Sequence, residues 1–220
     1  MRPAWFAFSV LALVVPALSQ GAPGVPVFQA DFSDPDLSPT HWTLTFHPDG
    51  SGHFRSERRT VPVAGQQTMD APNVDRDVQV SAEFAARVFQ TARNRKFFRF
   101  DCESHLKVAF QGWKRISYVG PDGQGSCQFN FAKDKEIQAL GDSLVAVAET
   151  IVEGARLEML LLHDPLGLDQ ETEFLVEAAG DGRVQQICTI RSILERLAGD
   201  DAVMERVRRR ARALLARAEG

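Results

Sequence analysis

His41-Trp42-Thr43-Leu44-Thr45-Phe46-His47-Pro48-Asp49-Gly50-Ser51-Gly52-His53-Phe54-Arg55 decides the fold. Apolar residues alternate on both sides of a turn, the two-residue period of a half-buried strand. His47-Pro48-Asp49-Gly50 suits a type I turn, with Gly50 in the left-handed position after it. A three-residue loop of this kind pairs 47 with 51 and 44 with 54. Trp42, Leu44, Phe46 and Phe54 then share one face, while Thr43, Thr45, His47, His53 and Arg55 share the other. A two-residue loop would turn Phe54 away from its apolar partners, so turn chemistry and hydrophobic pattern select the same register.

Outward from the hairpin, further strands are expected at 26–32, at 76–80 and in three segments after residue 104. Leu106, Val108 and Phe110 alternate in the first of the three, and Gly112-Trp113-Lys114 reads as a loop. Ile116 and Tyr118 come next on the same face; Pro121-Asp122-Gly123-Gln124-Gly125 makes a turn, and Cys127, Phe129 and Phe131 continue the pattern. Between the strand groups Ser81 caps a helix to about Asn94, whose buried stripe is Phe84, Ala85, Val88, Phe89 and Ala92. From Ile137 onward the apolar period lengthens to three or four. A second helix is expected from Asp142 or Ser143 to His163, then a break at Asp164-Pro165-Leu166-Gly167 and helices at about 169–179, 183–198 and 201–218. The plan is α+β: an antiparallel sheet covered by one or two helices, followed by an all-helical C-terminal extension. Residues 20–163 form the α+β domain, and 164–220 a helical region packed on it or appended to it.

Residues 1–19 read as a signal peptide. Arg2 supplies the positive start, Ala4 to Leu18 are largely apolar, and Ala17-Leu18-Ser19 places small residues where a signal peptidase cuts. The stretch is short for a membrane span, which needs about 20 apolar residues. Cleavage leaves 24 basic against 29 acidic residues, a net charge of −5. That balance argues against nucleic acid as a partner, since binding it takes a basic surface. No Asn-x-Ser/Thr sequence occurs, which points to a bacterial periplasm or exterior rather than a eukaryotic secretory route. Three cysteines allow one disulfide in such a compartment. Cys102 with Cys127 is the expected pair, provided that 98–104 folds back toward the later strand; its loop would add about 3 kcal/mol. Cys188, on an apolar helical face, is expected to stay a free thiol.

Candidate sites are few. His41, His47 and His53 share the polar face of the hairpin, but His41 and His47 lie about 20 Å apart along one strand. His47 and His53 are diagonal neighbours that can chelate together, with Asp49 as the nearest third ligand. Surface histidines without metal are the simpler reading. Asp101, Cys102, Glu103 and His105 form the densest group of catalytic residue types, yet adjacent side chains in an extended segment point apart. Gly50-Ser51-Gly52 and Gly125-Ser126 lack the spacing of a nucleophile elbow. Gly123-Gln124-Gly125 lacks the third glycine of a dinucleotide loop, and Asp164 to Asp169 lacks the core of a calcium loop. The last helix carries Arg206, Arg208, Arg209, Arg210, Arg212 and Arg217 around a narrow stripe of Val203, Val207, Ala211 and Leu214. Arg206, Arg209, Arg210 and Arg217 are its candidates for docking an anionic partner or membrane surface. A Glu205–Arg209 pair and the helix dipole offer a purely structural use for the same charges.

The stretch Trp42 to Ile151 resembles an uncharacterised family of small exported bacterial domains. Such domains carry a Trp/Tyr-x-Leu-x-Ile/Phe-x-x-Asp-Gly hairpin, then a helix, a Phe-Phe pair (here Phe97-Phe98), further strands and a helix. The resemblance implies an α+β fold and no particular chemistry. The resulting expectation is an exported binding or envelope-associated interaction protein, without a cofactor and without catalysis. Its alternatives are a hydrolase or metal-dependent enzyme built on Asp101–His105 or on His47 and His53, and a membrane-surface role for the basic last helix.

Overall fold

The computed structural model describes residues 24–57 and 72–218; the leader read at 1–19 lies outside the described residues. Six antiparallel strands form one sheet: β1 (Val27–Ser33), β2 (His41–Phe46), β3 (Ser51–Glu57), β4 (Val74–Gln79), β5 (Trp113–Gly120) and β6 (Gly123–Phe129), in the order β4-β3-β2-β1-β5-β6. The hairpin has the register its turn dictates. Leu44 pairs with Phe54 and Thr45 with His53, the His47 amide donates to the Ser51 carbonyl over 2.8 Å, and Gly50 sits at φ +83°.

One face of the sheet is dry. Phe28, Trp42, Leu44, Phe46, Phe54, Ile116, Tyr118 and Phe129 are all buried on it. Helix α1 (Ala82–Asn94), capped by the Ser81 hydroxyl accepting from the Phe84 amide, lays Phe84, Val88 and Phe89 over them. The Phe28 and Phe46 rings lie 5.2 Å apart, and Phe89 meets both Phe46 and Tyr118 edge-on. Such tilted and edge-on aromatic contacts add to the stabilisation from area alone.

Helix α2 (Lys135–His163) is 29 residues long, about 43 Å. It begins earlier than the sequence suggests, at Asp134, whose carboxylate accepts from the amides of Glu136 and Ile137. Its first two-thirds pack on the sheet side. From Leu157 its apolar face joins a second, aliphatic cluster with α3 (Leu168–Asp181), α4 (Arg191–Gly199) and α5 (Glu205–Ala218). The expected helix at 183–198 is shorter than its apolar pattern: Gln186 takes a left-handed conformation, and a 3-10 turn (Ile187–Ile190) leads into α4. The last helix starts at Glu205 rather than 201.

The largest departure is at 104–110, which forms no strand. Leu106, Val108 and Phe110 are exposed, and His105 at φ +56° turns the chain away from the sheet. The outer edge of β6 is occupied by the segment just before it. Arg99 Nε donates to the Gln124 carbonyl, Ser104 N donates to Phe131 O, and Glu103 bridges Ala132. That fold-back brings Cys102 to Cys127, and the disulfide forms with a Cα separation of 5.8 Å. Gly123 and Gly125 permit it: a Cβ on either would lie 2.3 Å from the Phe97 ring or the Phe97 carbonyl. Among the described residues no helix is long and apolar enough to cross a membrane.

Candidate ligand-binding cavity

Lys114 occupies the second position of β5, in the same phase as Ile116 and Tyr118, so its side chain points into the apolar layer. It is 6% exposed. Its stem runs past the glycine face of α2, where a Cβ on Gly141 would lie 3.1 Å from Lys114 Cδ and 2.9 Å from the Phe129 ring. The Nζ lies 5.9 Å from the Phe32 ring centre and 6.0 Å from that of Phe129. It donates to the carbonyls of Gln111 at 3.1 Å and Asn130 at 3.2 Å, and no carboxylate of the described residues comes within ion-pair distance. Burial lowers its pKa, against the weaker pull of Asp142, Asp34 and Glu103.

The amine lines a cavity of about 430 Å³ between the sheet, α2 and α3. Its walls are mainly apolar: Phe32 from β1, Leu37 from the following loop, Val145 and Ala146 from α2, and Phe174 from α3. Lys114, Gln111 and Asp142 supply polar groups on the β5 side, while Glu149 lies nearer Arg183. A smaller cavity of about 240 Å³, walled by Trp42, Pro39, Ala148 and Val152, shares Phe32, Leu37, Val145 and Glu149 with the first. Together they form a trough with mainly apolar walls and a few polar groups, the usual composition of a small-molecule site. The Glu149 carboxyl stands on the boundary between them, and burial raises its pKa.

One turn further along α2, Glu153 is 1% exposed and faces Glu171 of α3. Arg156 Nη1 reaches both carboxyls, at 3.2 Å and 3.4 Å. Burial, aided by Glu171, pushes the Glu153 carboxyl up to about 9. As a carboxylate it leaves Oε2 without a donor; as an acid it has a proton to share with Glu171.

The residues singled out in the sequence are placed elsewhere. His53 is held between Asp77 at Nδ1 and Asp75 at Nε2, both 2.9 Å, and Asp77 raises its pKa most. His47 Nδ1 meets the Pro26 carbonyl, His41 meets Asp31, and Asp49 accepts from Ser51. Among the described residues no three potential ligands converge on a metal position. His105 pairs with Asp101 at 2.9 Å, Cys102 is oxidised, and Glu103 accepts the Asn130 and Ser104 amides, so this group ties down a loop. On α5, Arg206 and Arg210 both bind Asp169 of α3, Arg210 also reaches Glu173, and Arg217 donates to the Val176 carbonyl. Glu205 pairs with Arg208 and Arg212 rather than Arg209, which stays exposed.

A wider cleft of about 790 Å³ opens on the opposite sheet face, between β3, β4 and α4. Hydroxyl groups line it, and of its two imidazoles His53 is already held by two carboxylates and His47 meets the Pro26 carbonyl. The free Cys188 thiol beside it has a pKa raised by burial and contacts the Gln79 carbonyl at 3.5 Å. The trough is the smaller and the more apolar of the two. Lys114 and Glu149 escape sequence reading because Gly112-Trp113-Lys114 has the composition of a loop. The signal that could have found the amine is a lysine in phase with Ile116 and Tyr118. The chain matches no protein-family model and no curated protein.

Proposed function

We propose that this chain is a non-enzymatic binding protein that seats a small ligand with an apolar body in the trough between sheet, α2 and α3. The observation that carries this reading is an apolar cavity bordered by a buried amine that forms no ion pair with a carboxylate of the described residues. A groove filled only by structural packing has no use for Lys114, because burying an ammonium is costly unless something repays it. The Cys102–Cys127 bridge supports work in an oxidising compartment outside the cytosol, in keeping with the leader read at 1–19. Five of the six α5 arginines are held within the protein, Arg206, Arg210 and Arg217 by α3 and Arg208 and Arg212 by Asp201 and Glu205, which favours the cavity over a membrane-surface role.

Binding of N-phenyl-1-naphthylamine, a neutral apolar fluorophore, tests the proposal. Val145 borders both parts of the trough, so Val145→Trp is expected to weaken dye binding by about tenfold or more, worth about 1.4 kcal/mol. Arg209→Trp, on an exposed face, is the control and leaves binding unchanged. Equal affinity of Val145→Trp and the parent chain would overturn the assignment.

A further inference from the structure

We infer that the trough takes aldehydes or ketones with an apolar body and holds them as an imine on Lys114. The inference rests on the trough being a ligand site and names the class of ligand. Two hydrogen bonds from Nζ go to main-chain carbonyls, of Gln111 and Asn130. The two carbonyls accept from the amine in either protonation state and fix Nζ at the cavity wall. Asp142, Asp34 and Glu103 act on it from beyond ion-pair distance and more weakly than burial does, and the walls around the stem are the rings of Phe32 and Phe129. A lysine desolvated in an apolar pocket is the ordinary setting of an amine nucleophile.

The charges in the same wall decide between ligand chemistries. Asp142 lines the cavity with Lys114 and would repel a carboxylate or phosphate ligand, while Arg183 of the same lining is paired with Asp181. Toward a carbonyl Asp142 helps, because a protonated imine on Lys114 needs a counter-charge. The nitrogen lone pair attacks the carbonyl carbon, the C–N bond forms, and the C=O π pair moves to oxygen. Nitrogen loses two protons and oxygen gains two, and the C–O bond breaks as the nitrogen lone pair closes the C=N bond, releasing water. Amine and carbonyl compound become imine and water, with no change of oxidation state. The apolar run toward Trp42 and Val152 accommodates the body of the ligand.

The chain has five lysines, and Lys96, Lys107, Lys133 and Lys135 are exposed. The full chain is incubated at neutral pH with 2-naphthaldehyde and sodium cyanoborohydride, which reduces an imine to a stable amine, and the adducts are mapped by peptide mass spectrometry. Lys114 is expected to gain a naphthylmethyl group at least about tenfold faster than any other lysine. Lys114→Met and Lys114→Arg are expected to lose that adduct, and far-UV circular dichroism matching that of the parent chain shows that they fold. Val145→Trp loses both. Trapping at Lys114 no faster than at the exposed lysines overturns the imine assignment, and if the dye still binds, the binding-site reading stands. Failure of dye binding as well removes both.

Discussion

The two sides of α2 handle the same difficulty differently. Toward the sheet its neighbours are aromatic, and they bury a base, Lys114, with the acid Asp34 also buried on that side; toward α3 its neighbours are aliphatic, and the buried group is an acid, Glu153. Burial drives Lys114 and Glu153 toward their neutral forms. The base borders open space and keeps one position free, whereas Glu153 is closed in by Arg156 and Glu171. A buried ionisable group thus marks a ligand site only where the structure leaves it something to meet; otherwise it is a seam between helices.

Separate unfolding of the two sides would break this contrast most decisively. Phe46→Ala in the aromatic layer is expected to cost about 3–5 kcal/mol and Leu194→Ala in the aliphatic cluster about 2–5 kcal/mol. Because α2 belongs to both, each substitution should lower one shared transition. Tryptophan fluorescence, dominated by buried Trp42, and far-UV circular dichroism should then coincide across a urea titration. Two separated midpoints would show the sides to be independent.

A smaller effect tests the joint. A Cβ on Gly154 would lie 2.3 Å from Ile190 Cγ2, so α2 touches the 3-10 turn there with no room for a side chain. Gly154→Leu is expected to destabilise by about 1–3 kcal/mol despite its better helix propensity. Thermal denaturation reads this as a Tm lower by roughly 2–4 °C per kcal/mol.

The smallest effect sharpens the contrast between acid and base. Glu153 titrates near 9 in the fold against 4.5 in the unfolded chain, so the native state holds the extra proton between those values. Its contribution is complete below 4.5 and lost as pH rises through about 9. Glu153→Gln should flatten that decline and stabilise the protein in mildly alkaline solution by on the order of 1 kcal/mol. Lys114, its pKa lowered in the fold, acts in the opposite sense, with stability gained as pH rises toward the unfolded value. Urea unfolding free energies across that pH range check both slopes.

The hairpin was legible because two independent constraints, turn geometry and alternation, allow only one register. The α1 stripe and its Ser81 cap were legible for the same reason. The start of α2 was not, since Gly141 next to Asp142 resembles a boundary. That glycine lies inside the helix because the Phe129 ring and the Lys114 stem fill the space where its Cβ would be. Alternation at Leu106, Val108 and Phe110 is real but found no neighbour, as the residues before it had already taken the β6 edge. The disulfide was legible as a pairing, and the fold-back that permits it appears only in three dimensions. The trough was invisible from sequence because its walls come from positions 32, 37, 114, 145 and 174, which no local period relates.

Phe174 and Arg183 have a consequence for how the chain tolerates trimming. They belong to the segment after His163, yet they close the trough opposite β1 and β5. The helical tail is thus masonry, not ornament: a protease that clipped the chain at Asp164–Gly167 and released the later helices would leave the sheet roofless on that side, with the Lys114 amine rehydrated and its reactivity that of any surface lysine.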